Sequence, residues 1–388
     1  MKTLTRRSLI ASGLGTALAG CTNPRLLDSP STARTDKFTS LKPLDLRPEN
    51  LIKITVCTRP LRPAGPRLEA ERISGKSIVH NYGHGGSGWS LAWGYAEAAR
   101  DLAAASRPSS VAVVGAGAIG LTTAIALAET GAKVTIVARE MPMETRSTRA
   151  TGVWSPASRV ALKSAASADF PERWEALTRR SHARHLTYVG RSGSPVEYTP
   201  RYYIRTETRE TPLAVVPEEG DDFLHIGRRL RGLEPPWSER PEHPFPTEQG
   251  VRGGLVMTFN IAEYTRQLTE DFLAMGGRIE RAEIASMDEL VGLPGDAVVN
   301  CAGYGAKTLA KDASLIGVRG QIAWMAPQPD RLYGIYHRNV TALSRRDGLL
   351  IQETGGNDYF GLGDDSETVS QDEFAAALAK VAPMFDWG

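Results

Sequence analysis

The clearest pattern of apolar and polar positions lies in residues 111–140, VAVVGAGAIGLTTAIALAETGAKVTIVARE. It begins with four small apolar residues, which are typical of a strand buried on both faces of a parallel sheet. Apolar positions then recur at helical spacing up to Gly131, and the β-branched residues 134–137 predict a second strand. The pattern therefore predicts a βαβ unit.

Three glycines in the spacing GxGxxG occupy the turn between the first strand and the helix. Gly115 permits the tight turn, Gly117 lets the backbone approach a pyrophosphate, and Gly120 lets the helix and strand pack closely. The helix N-terminus would then face the phosphates. Arg139 and Glu140 follow the second strand, where an acid would bind ribose hydroxyls and an arginine could bind a 2′-phosphate. The unit is predicted to bind a nucleotide.

A second glycine-rich pattern precedes the first along the chain. Residues 77–79 predict a strand, residues 80–88 (HNYGHGGSG) a loop, and residues 89–102 a helix. Four glycines in the last six loop positions would bring the backbone against a flat ligand, and the helix would direct its positive end towards that ligand. His80 and His84 have no cysteine or carboxylate cluster beside them, so no metal site is predicted.

Two arginines lie in the segment TRPLRP, residues 58–63, after a predicted strand at residues 50–56. The prolines stiffen the chain, and an arginine with a fixed direction suits bidentate binding of a carboxylate. Taken alone, the segment is better explained as a surface pair of arginines in a Pro-rich turn.

The remaining chain alternates between predicted helices and strands. This alternation predicts an α/β protein, and 388 residues with 41% hydrophobic content allow two interleaved domains. A net charge of +2 with dispersed arginines gives no reason to expect a nucleic-acid partner. Helices are predicted at residues 165–188 and 261–275, strands at 198–206, 254–259, 278–284, 296–303 and 321–325, a surface excursion at 221–250, and a hairpin-like region through Leu349 and Phe360.

Residues 1–21 have the features of an export signal. A basic start is followed by a short, moderately apolar run that ends in LAGC, which resembles a bacterial lipoprotein processing site, and TRRSLI resembles the twin-arginine signal. Residues 22–44 predict a flexible tether. The sequence thus predicts a protein on the periplasmic side of the bacterial cell envelope, held at the membrane by a lipid anchor on Cys21 if that site is processed.

Five segments together resemble the D-amino-acid oxidase family, which includes D-aspartate oxidases. They are HNYGHGGSGW, TRPLRP, VAVVGAGAIG, VVNCAG at residues 298–303 and RGQI at residues 319–322. In that family the nucleotide fingerprint opens the chain and the HNYGHGG loop closes it, whereas here the loop comes first. The sequence therefore resembles a circularly permuted member, with new ends between a helix near residues 374–384 and the strand near Leu51.

The resemblance implies FAD as the cofactor and two interleaved domains. A Rossmann-like FAD-binding domain would comprise residues 61–165 and 261–315. An α+β substrate domain with an antiparallel sheet would comprise residues 45–60, 166–260 and 316–388.

The resemblance also implies the site residues. Arg59 would anchor the substrate carboxylate, the Gly86 carbonyl would accept a hydrogen bond from the substrate amine, and Ser90 would stabilise negative charge on the flavin. Tyr336 and Tyr333 are candidates to cover the substrate, although their spacing does not match and packing explains them equally well. The residues implied to contact FAD are Gly85, Gly86, Ser87, Gly88, Trp89 and Ser90, then Gly115, Gly117, Ala118, Ile119 and Gly120, Arg139 and Glu140, the phosphate donors Thr145, Arg146 and Ser147, Trp154 near the isoalloxazine ring, and Ile284 near the adenine.

The implied reaction is oxidative deamination of a D-amino acid: hydride passes to FAD, the imino acid leaves and hydrolyses, and O2 reoxidises the flavin to give H2O2. One alternative is an FAD-dependent dehydrogenase that passes electrons to a quinone or protein carrier, because an envelope location offers such acceptors. Another is a catalytically inactive flavin-binding interaction module. Ser87 replaces a residue that is commonly aromatic in the family, which leaves a bulky, acidic or N-substituted substrate open.

Overall fold

The computed structural model describes residues 41–207 and 222–387. The predicted signal and residues 22–40 of the predicted tether lie outside these ranges, so both stay predictions. Within the described residues, no helix is long and apolar enough to cross a membrane. The last residues of the predicted tether are described, and Leu44 is buried in a hydrophobic cluster with Phe374 and Phe385.

The described residues form fourteen strands and seven α-helices. The strands are β1 (Leu51–Leu61), β2 (Arg67–Ile73), β3 (Lys76–Tyr82), β4 (Ser110–Val114), β5 (Lys133–Ala138), β6 (Val196–Ile204), β7 (Ser238–Glu239), β8 (Val251–Phe259), β9 (Arg278–Arg281), β10 (Ala297–Asn300), β11 (Ile316–Met325), β12 (Gly334–His337), β13 (Val340–Arg345) and β14 (Gly348–Glu353). The helices are α1 (Gly88–Ala104), α2 (Ala118–Ala128), α3 (Phe170–Leu186), α4 (Ile261–Ala274), α5 (Met287–Gly292), α6 (Ala306–Leu309) and α7 (Gln371–Val381).

The smaller sheet has six strands in the order β2-β3-β10-β4-β5-β9. Its pairs are parallel except for β2 with β3. The βαβ unit predicted from residues 111–140 is confirmed as β4, α2 and β5. The apolar side chains of β4 and β10 are buried, as parallel strands covered on both faces require. The strand that precedes the second glycine-rich loop, β3, pairs with β10 on the side opposite β4.

The larger sheet has eight strands in the order β1-β11-β14-β13-β12-β6-β8-β7. Its pairs are antiparallel except for β12 with β6. The prediction of an α/β fold in which a Rossmann-like parallel sheet accompanies a largely antiparallel one is confirmed. The domain boundaries stay a prediction.

Some elements differ from the sequence-based expectation. Residues 58–61 of the TRPLRP segment continue strand β1 and do not form a Pro-rich turn, because they pair with β11, and Arg59 lines a cavity described below. Leu349 lies in the β13–β14 hairpin, but Phe360 lies in the loop at residues 354–370, because four glycines there take positive φ angles and turn the chain: Gly355, Gly356, Gly361 and Gly363. The helix predicted from residue 165 begins at Phe170, where Pro171 occupies the first turn and needs no helical hydrogen bond.

Candidate active site

A cavity of about 640 Å³ is lined by residues of both sheets. The smaller sheet contributes the segments that follow β3, β4, β5 and β10, and the larger sheet contributes residues of β1, β6, β11, β12, β13 and β14. The carboxyl ends of parallel strands are where open α/β sheets bind their ligands. Both predicted glycine-rich turns, at residues 115–120 and 83–88, contribute to this one cavity.

The turn before α2 has the geometry expected of a phosphate-binding loop. Gly115 takes a φ of +108°, which disfavours any residue with a Cβ. A Cβ on Gly117 would lie 2.7 Å from Ser147 Oγ, and this hydroxyl accepts a hydrogen bond from the Ala118 N–H at 3.1 Å. Ser147 therefore lies at the N-terminus of α2, as its predicted role as a phosphate donor requires.

One end of the cavity is lined by Arg139, Glu140 and residues 282–284. The Arg139 guanidinium lies 3.3 Å from carboxylate oxygens of both Glu140 and Glu283. Two carboxylates beside this arginine disfavour the binding of a 2′-phosphate. The geometry therefore favours Glu140 as the ribose-binding acid, and this assignment stays a prediction.

The loop at residues 83–90 is held in place by the chain at residues 155–159. Gly86 N–H donates to the Arg159 carbonyl at 3.1 Å, and Ser87 Oγ donates to the Ser155 carbonyl at 2.8 Å. Ser90 lines the cavity, and its Oγ accepts from the Ser155 N–H at 2.8 Å. Ser90 thus lies in the first turn of α1, whose amide groups and positive end face the cavity.

Arg59 lines the cavity beside Gly86. Its Nε donates to the Val318 carbonyl at 3.2 Å and its Nη2 to the Arg319 carbonyl at 2.9 Å. Burial lowers its pKa to about 10, with a further contribution from the charge of Arg159. Among the described residues, Arg59 forms no ion pair with a carboxylate, and Asp358 acts on it only from a distance. The site thus contains a half-buried, oriented cation without a carboxylate partner among the described residues.

The two candidate tyrosines have different environments. Tyr336 lines the cavity and stacks on Tyr203, with ring centroids 5.4 Å apart and planes 10° apart. Burial raises the pKa of the Tyr336 hydroxyl. Tyr333 is buried in the core away from the cavity, where its hydroxyl donates to the Lys42 carbonyl at 2.7 Å. Packing therefore accounts for Tyr333, and Tyr336 stays a candidate.

Three of the predicted FAD contacts do not line the cavity. Gly120 packs against the Gly115 carbonyl, as its helix-packing role predicts, and Ser87 is bonded to backbone carbonyls. Trp154 is buried with its ring against His182 at 5.1 Å. The predicted position of Trp154 beside the isoalloxazine ring is therefore not supported. Its neighbours Val153 and Ser155 line the cavity, and because side chains alternate along an extended segment, Trp154 is directed away from it. The other predicted FAD contacts all line the cavity.

Neither histidine of the HNYGHGG loop has the surroundings of a metal ligand. His80 Nε2 lies 2.6 Å from Glu71 Oε1, and the buried His84 ring meets Tyr95 edge-on. In the part of the chain that the structure describes, no group of three or more His, Cys, Asp or Glu side chains could hold a metal ion.

Comparison with known proteins decides the family. The family model for FAD-dependent oxidoreductases of the DAO type matches residues 110–386, which is well over half of the chain. The chain belongs to this family. The predicted family, the class of FAD-dependent oxidoreductases and FAD as the cofactor are thereby confirmed. The circular permutation stays a prediction.

Two curated members of the DAO family are similar to this chain. The D-amino-acid oxidase of Rubrobacter xylanophilus is 34% identical over 228 residues, which cover 55% of this chain and 58% of that protein. The D-amino-acid oxidase of Dictyostelium discoideum is 26% identical over 221 residues, which cover 56% of this chain and 58% of that protein. The chain thus spans less than two thirds of the length of these relatives. Among solved structures, glycine oxidase from Bacillus cereus ATCC 14579 has a TM-score of 0.49 and 18% identity, over 71% of this chain and 78% of that one.

The cavity residues fit the FAD of the DAO family. The volume of the cavity lies within the range of about 300–1,000 Å³ that is typical of small-molecule sites. Glu140 would hold the ribose, the turn at Gly115 and Gly117 with Ser147 would hold the pyrophosphate, and the start of α1 would face the flavin. Thr145, Arg146 and Ile284 also line the cavity, and their contacts with FAD stay predictions.

Several cavity residues were not found by sequence reasoning. They lie on strands of the larger sheet or in loops: Arg159, Arg201, Thr341, Gln352 and Asp358. Arg201 is buried, and its Nη1 has no hydrogen-bond partner among the described residues. Burial lowers its pKa to about 10, with the charge of Glu234 acting in the opposite direction. A charged residue in the middle of the predicted strand at residues 198–206 was the available signal. Arg159 carries no such signal, because it lies in an irregular loop.

Proposed function

We propose that this chain is an exported amino-acid oxidase that deaminates D-amino acids oxidatively, with O2 as the electron acceptor and H2O2 as a product. The observation that carries the proposal is Arg59, a half-buried guanidinium that is fixed by two carbonyls and has no carboxylate partner among the described residues. A cation of this kind is stable when a ligand supplies the counter-charge. The α-carboxylate of an amino acid meets this need with two parallel hydrogen bonds.

The second contact of the substrate is its amino group. Gly86 lines the cavity beside Arg59: a Cβ at Gly86 would lie 3.6 Å from Arg59 Nη1. The Gly86 carbonyl would accept a hydrogen bond from the amine, and the lack of a side chain leaves room for the substrate. When two groups of the α-carbon are fixed in this way, only one enantiomer presents its α-hydrogen to the cofactor. Stereospecificity would then follow from positioning, without a general base.

When bound, FAD supplies a two-electron acceptor for the α-hydrogen and reacts with O2 to form H2O2. The chain contributes electrostatics: the first turn of α1, with Ser90, directs its positive end towards the cavity and stabilises negative charge there. Tyr336 contributes an aromatic wall to the same cavity. The imino acid product hydrolyses in water after release.

The names of the relatives support this proposal, since the similar proteins of R. xylanophilus and D. discoideum are both D-amino-acid oxidases. The test uses the purified full-length protein. We expect a yellow protein whose flavin spectrum is bleached anaerobically by at least one D-amino acid and by none of the L-enantiomers. Air should then restore the colour with one H2O2 per substrate.

Each alternative result of this experiment would exclude one part of the proposal. Bleaching without peroxide would favour the dehydrogenase with a quinone or protein acceptor. A yellow protein that no amino acid bleaches would favour the interaction module. Bleaching by L-amino acids would overturn the stereochemical argument.

Export is proposed from the N-terminal sequence alone. Cell fractionation should place the protein in the envelope, and labelling with a radioactive or clickable fatty acid should modify it at Cys21. Cys21→Ala should abolish the label, and Arg6→Lys with Arg7→Lys should retain the protein in the cytoplasm. Recovery of unlabelled protein from the cytoplasm of unmodified cells would contradict this part.

A further inference from the structure

A second arginine lies beside Arg59 at the substrate end of the cavity. A Cβ placed on Gly86 would lie 3.6 Å from Arg59 Nη1 and 3.5 Å from Arg159 Nε. The two side chains therefore converge on one spot from different parts of the chain, β1 and the loop before α3. Arg159 also acts on the pKa of Tyr336, which lines the same cavity.

The backbone of Arg159 is locked to the flavin loop. Its carbonyl accepts a hydrogen bond from the Gly86 N–H at 3.1 Å, and its φ is +59°, an uncommon angle for a residue with a side chain. A Cβ on Gly85 would collide with the same carbonyl. These contacts fix the Arg159 backbone beside the cavity, and Arg159 lines that cavity.

The Arg159 guanidinium lacks a close partner. Its Nε is buried without a hydrogen bond, and the ion pair with Asp358 is long, at 3.8 Å from Nε to Oδ1. Asp358 Oδ2 is likewise buried without a hydrogen bond, and His225 Nε2 lies 3.6 Å from it. A guanidinium with an unused donor in a ligand cavity is suited to bind a carboxylate.

Arg59 alone has enough free N–H donors to bind the α-carboxylate. A guanidinium has five N–H donors, and two of those on Arg59 bond to the carbonyls of Val318 and Arg319. The others lie at the Nη1–Nη2 end, which is enough for both oxygens of one carboxylate. Arg159 is thus available for a second anionic group.

The charges of the site favour such a group. Arg59, Arg159 and Asp358 sum to one positive charge, Arg201 on β6 adds a second, and Glu353, which also lines the cavity, is balanced by Lys380 at 2.7 Å. A neutral D-amino acid is a zwitterion and leaves this positive charge in place. An acidic D-amino acid carries one net negative charge and offsets part of it, which is favourable in a site shielded from water.

Building on the proposed function, we propose that Arg159 binds the side-chain carboxylate of the substrate and so makes this enzyme selective for acidic D-amino acids. Arg59 and Arg159 then bind the two ends of one dicarboxylic substrate, with the amine at the Gly86 carbonyl between them. Asp358 retains its long contact with Arg159 and holds that side chain towards the cavity.

The first test compares near-isosteric substrates on the unmodified full-length protein. D-Aspartate with D-asparagine, and D-glutamate with D-glutamine, differ in charge but little in size. We expect kcat/KM for the better acid to exceed that for its amide by about 10- to 100-fold, the cost of losing one charge-assisted hydrogen-bonded contact. Equal values for acid and amide would overturn the inference while leaving the proposed function intact. If no D-amino acid reduces the flavin, the proposed function itself fails.

The second test is Arg159→Met, with Arg159→Lys as the charge-retaining variant and Arg228→Met, at an exposed arginine, as the matched control. We expect Arg159→Met to lower kcat/KM for the acid about 10- to 100-fold, mainly through KM, and to change the value for the amide by less than about threefold. Arg159→Lys should recover part of the loss. An equal loss for acid and amide would show instead that Arg159 acts on the α-carboxylate or on the fold, and would overturn the inference. The flavin spectrum confirms that each variant still binds FAD.

Discussion

Ser147 Oγ accepts a hydrogen bond from the Ala118 N–H at 3.1 Å, at the N-terminus of α2. This contact joins the segment after β5 to the glycine-rich turn, although 29 residues separate the two along the chain. It places a hydroxyl where the pyrophosphate of FAD is expected, and it makes the local fit of Gly117 depend on Ser147.

We expect Ser147→Ala to weaken FAD binding about 10- to 100-fold, because it removes a hydroxyl that would donate to a charged phosphate oxygen, a hydrogen bond worth about 1.5–3 kcal/mol. Equilibrium titration of the apoprotein with FAD measures the effect. Ser164→Ala, at a serine that does not line the cavity, is the control. Unchanged affinity in Ser147→Ala would exclude a contribution of this hydroxyl.

Gly117→Ala should reduce FAD affinity further, since the new Cβ would lie 2.7 Å from Ser147 Oγ. A double-mutant cycle separates two causes. If the clash with Ser147 dominates, the loss caused by Gly117→Ala should be smaller in the Ser147→Ala background. If the methyl group obstructs the pyrophosphate directly, the loss should be the same in both backgrounds.

Arg59→Met should raise the KM for the amino-acid substrate about 100-fold or more, because truncating one member of a buried charge pair costs about 2–5 kcal/mol. FAD should stay bound, as shown by the visible spectrum. Arg62→Met is the matched control, since Arg62 belongs to the same TRPLRP segment but pairs with Asp312 at 3.2 Å and does not line the cavity. An unchanged KM in Arg59→Met would refute the assignment of the carboxylate anchor.

The charge of Arg59 should also appear in the pH dependence of inhibitor binding. Because burial lowers its pKa to about 10, the guanidinium loses its proton above pH 10. The affinity for a monocarboxylate inhibitor without an amine should therefore stay constant from pH 7 to 9 and fall above pH 10. Such an inhibitor avoids titration of the substrate amine. A decrease that is centred near pH 7 would point to another group.

Glu234 should make stability fall with rising pH. Burial raises its pKa from 4.5 to about 7, so the folded state holds this proton more tightly than the unfolded state. Its favourable contribution is complete below pH 4.5 and is lost as the pH rises to about 7. Glu234→Gln keeps an acceptor for the Met257 N–H and cannot ionise. Its melting temperature should depend less on pH in this window than that of the unmodified protein, as measured by differential scanning calorimetry.

A reordered chain tests the predicted permutation. Both ends of the described chain pack in one hydrophobic cluster that contains Leu44, Leu46, Phe374 and Phe385. We expect a chain of residues 108–387, a Gly/Ser linker of about 10 residues and residues 41–107 to fold and bind FAD, because surface connections can be moved when the joined ends are close. A colourless or insoluble product would argue against the permutation.

Local patterns in the sequence were sufficient for the elements that recognise the nucleotide. The apolar run of β4, the glycine spacing and the β-branched run of β5 follow each other directly, so their periodicity predicts the βαβ unit without tertiary information. The same holds for the loop before α1, where four glycines in six positions indicate close contact with a ligand. Neither pattern requires knowledge of the partners that surround it.

Only the tertiary structure decided what depends on distant neighbours. Val153 and Ser155 face the cavity while Trp154 faces the core, Tyr336 lines the cavity while Tyr333 does not, and Arg159 comes to lie beside Arg59. Each of these outcomes depends on which strand or loop packs against the residue. The distance between two segments along the sequence does not show whether they pack together. The sequence by itself determined the nucleotide-binding turns, because short-range sterics and hydrogen bonding govern them; the two-arginine substrate end was decided by packing between segments 100 residues apart.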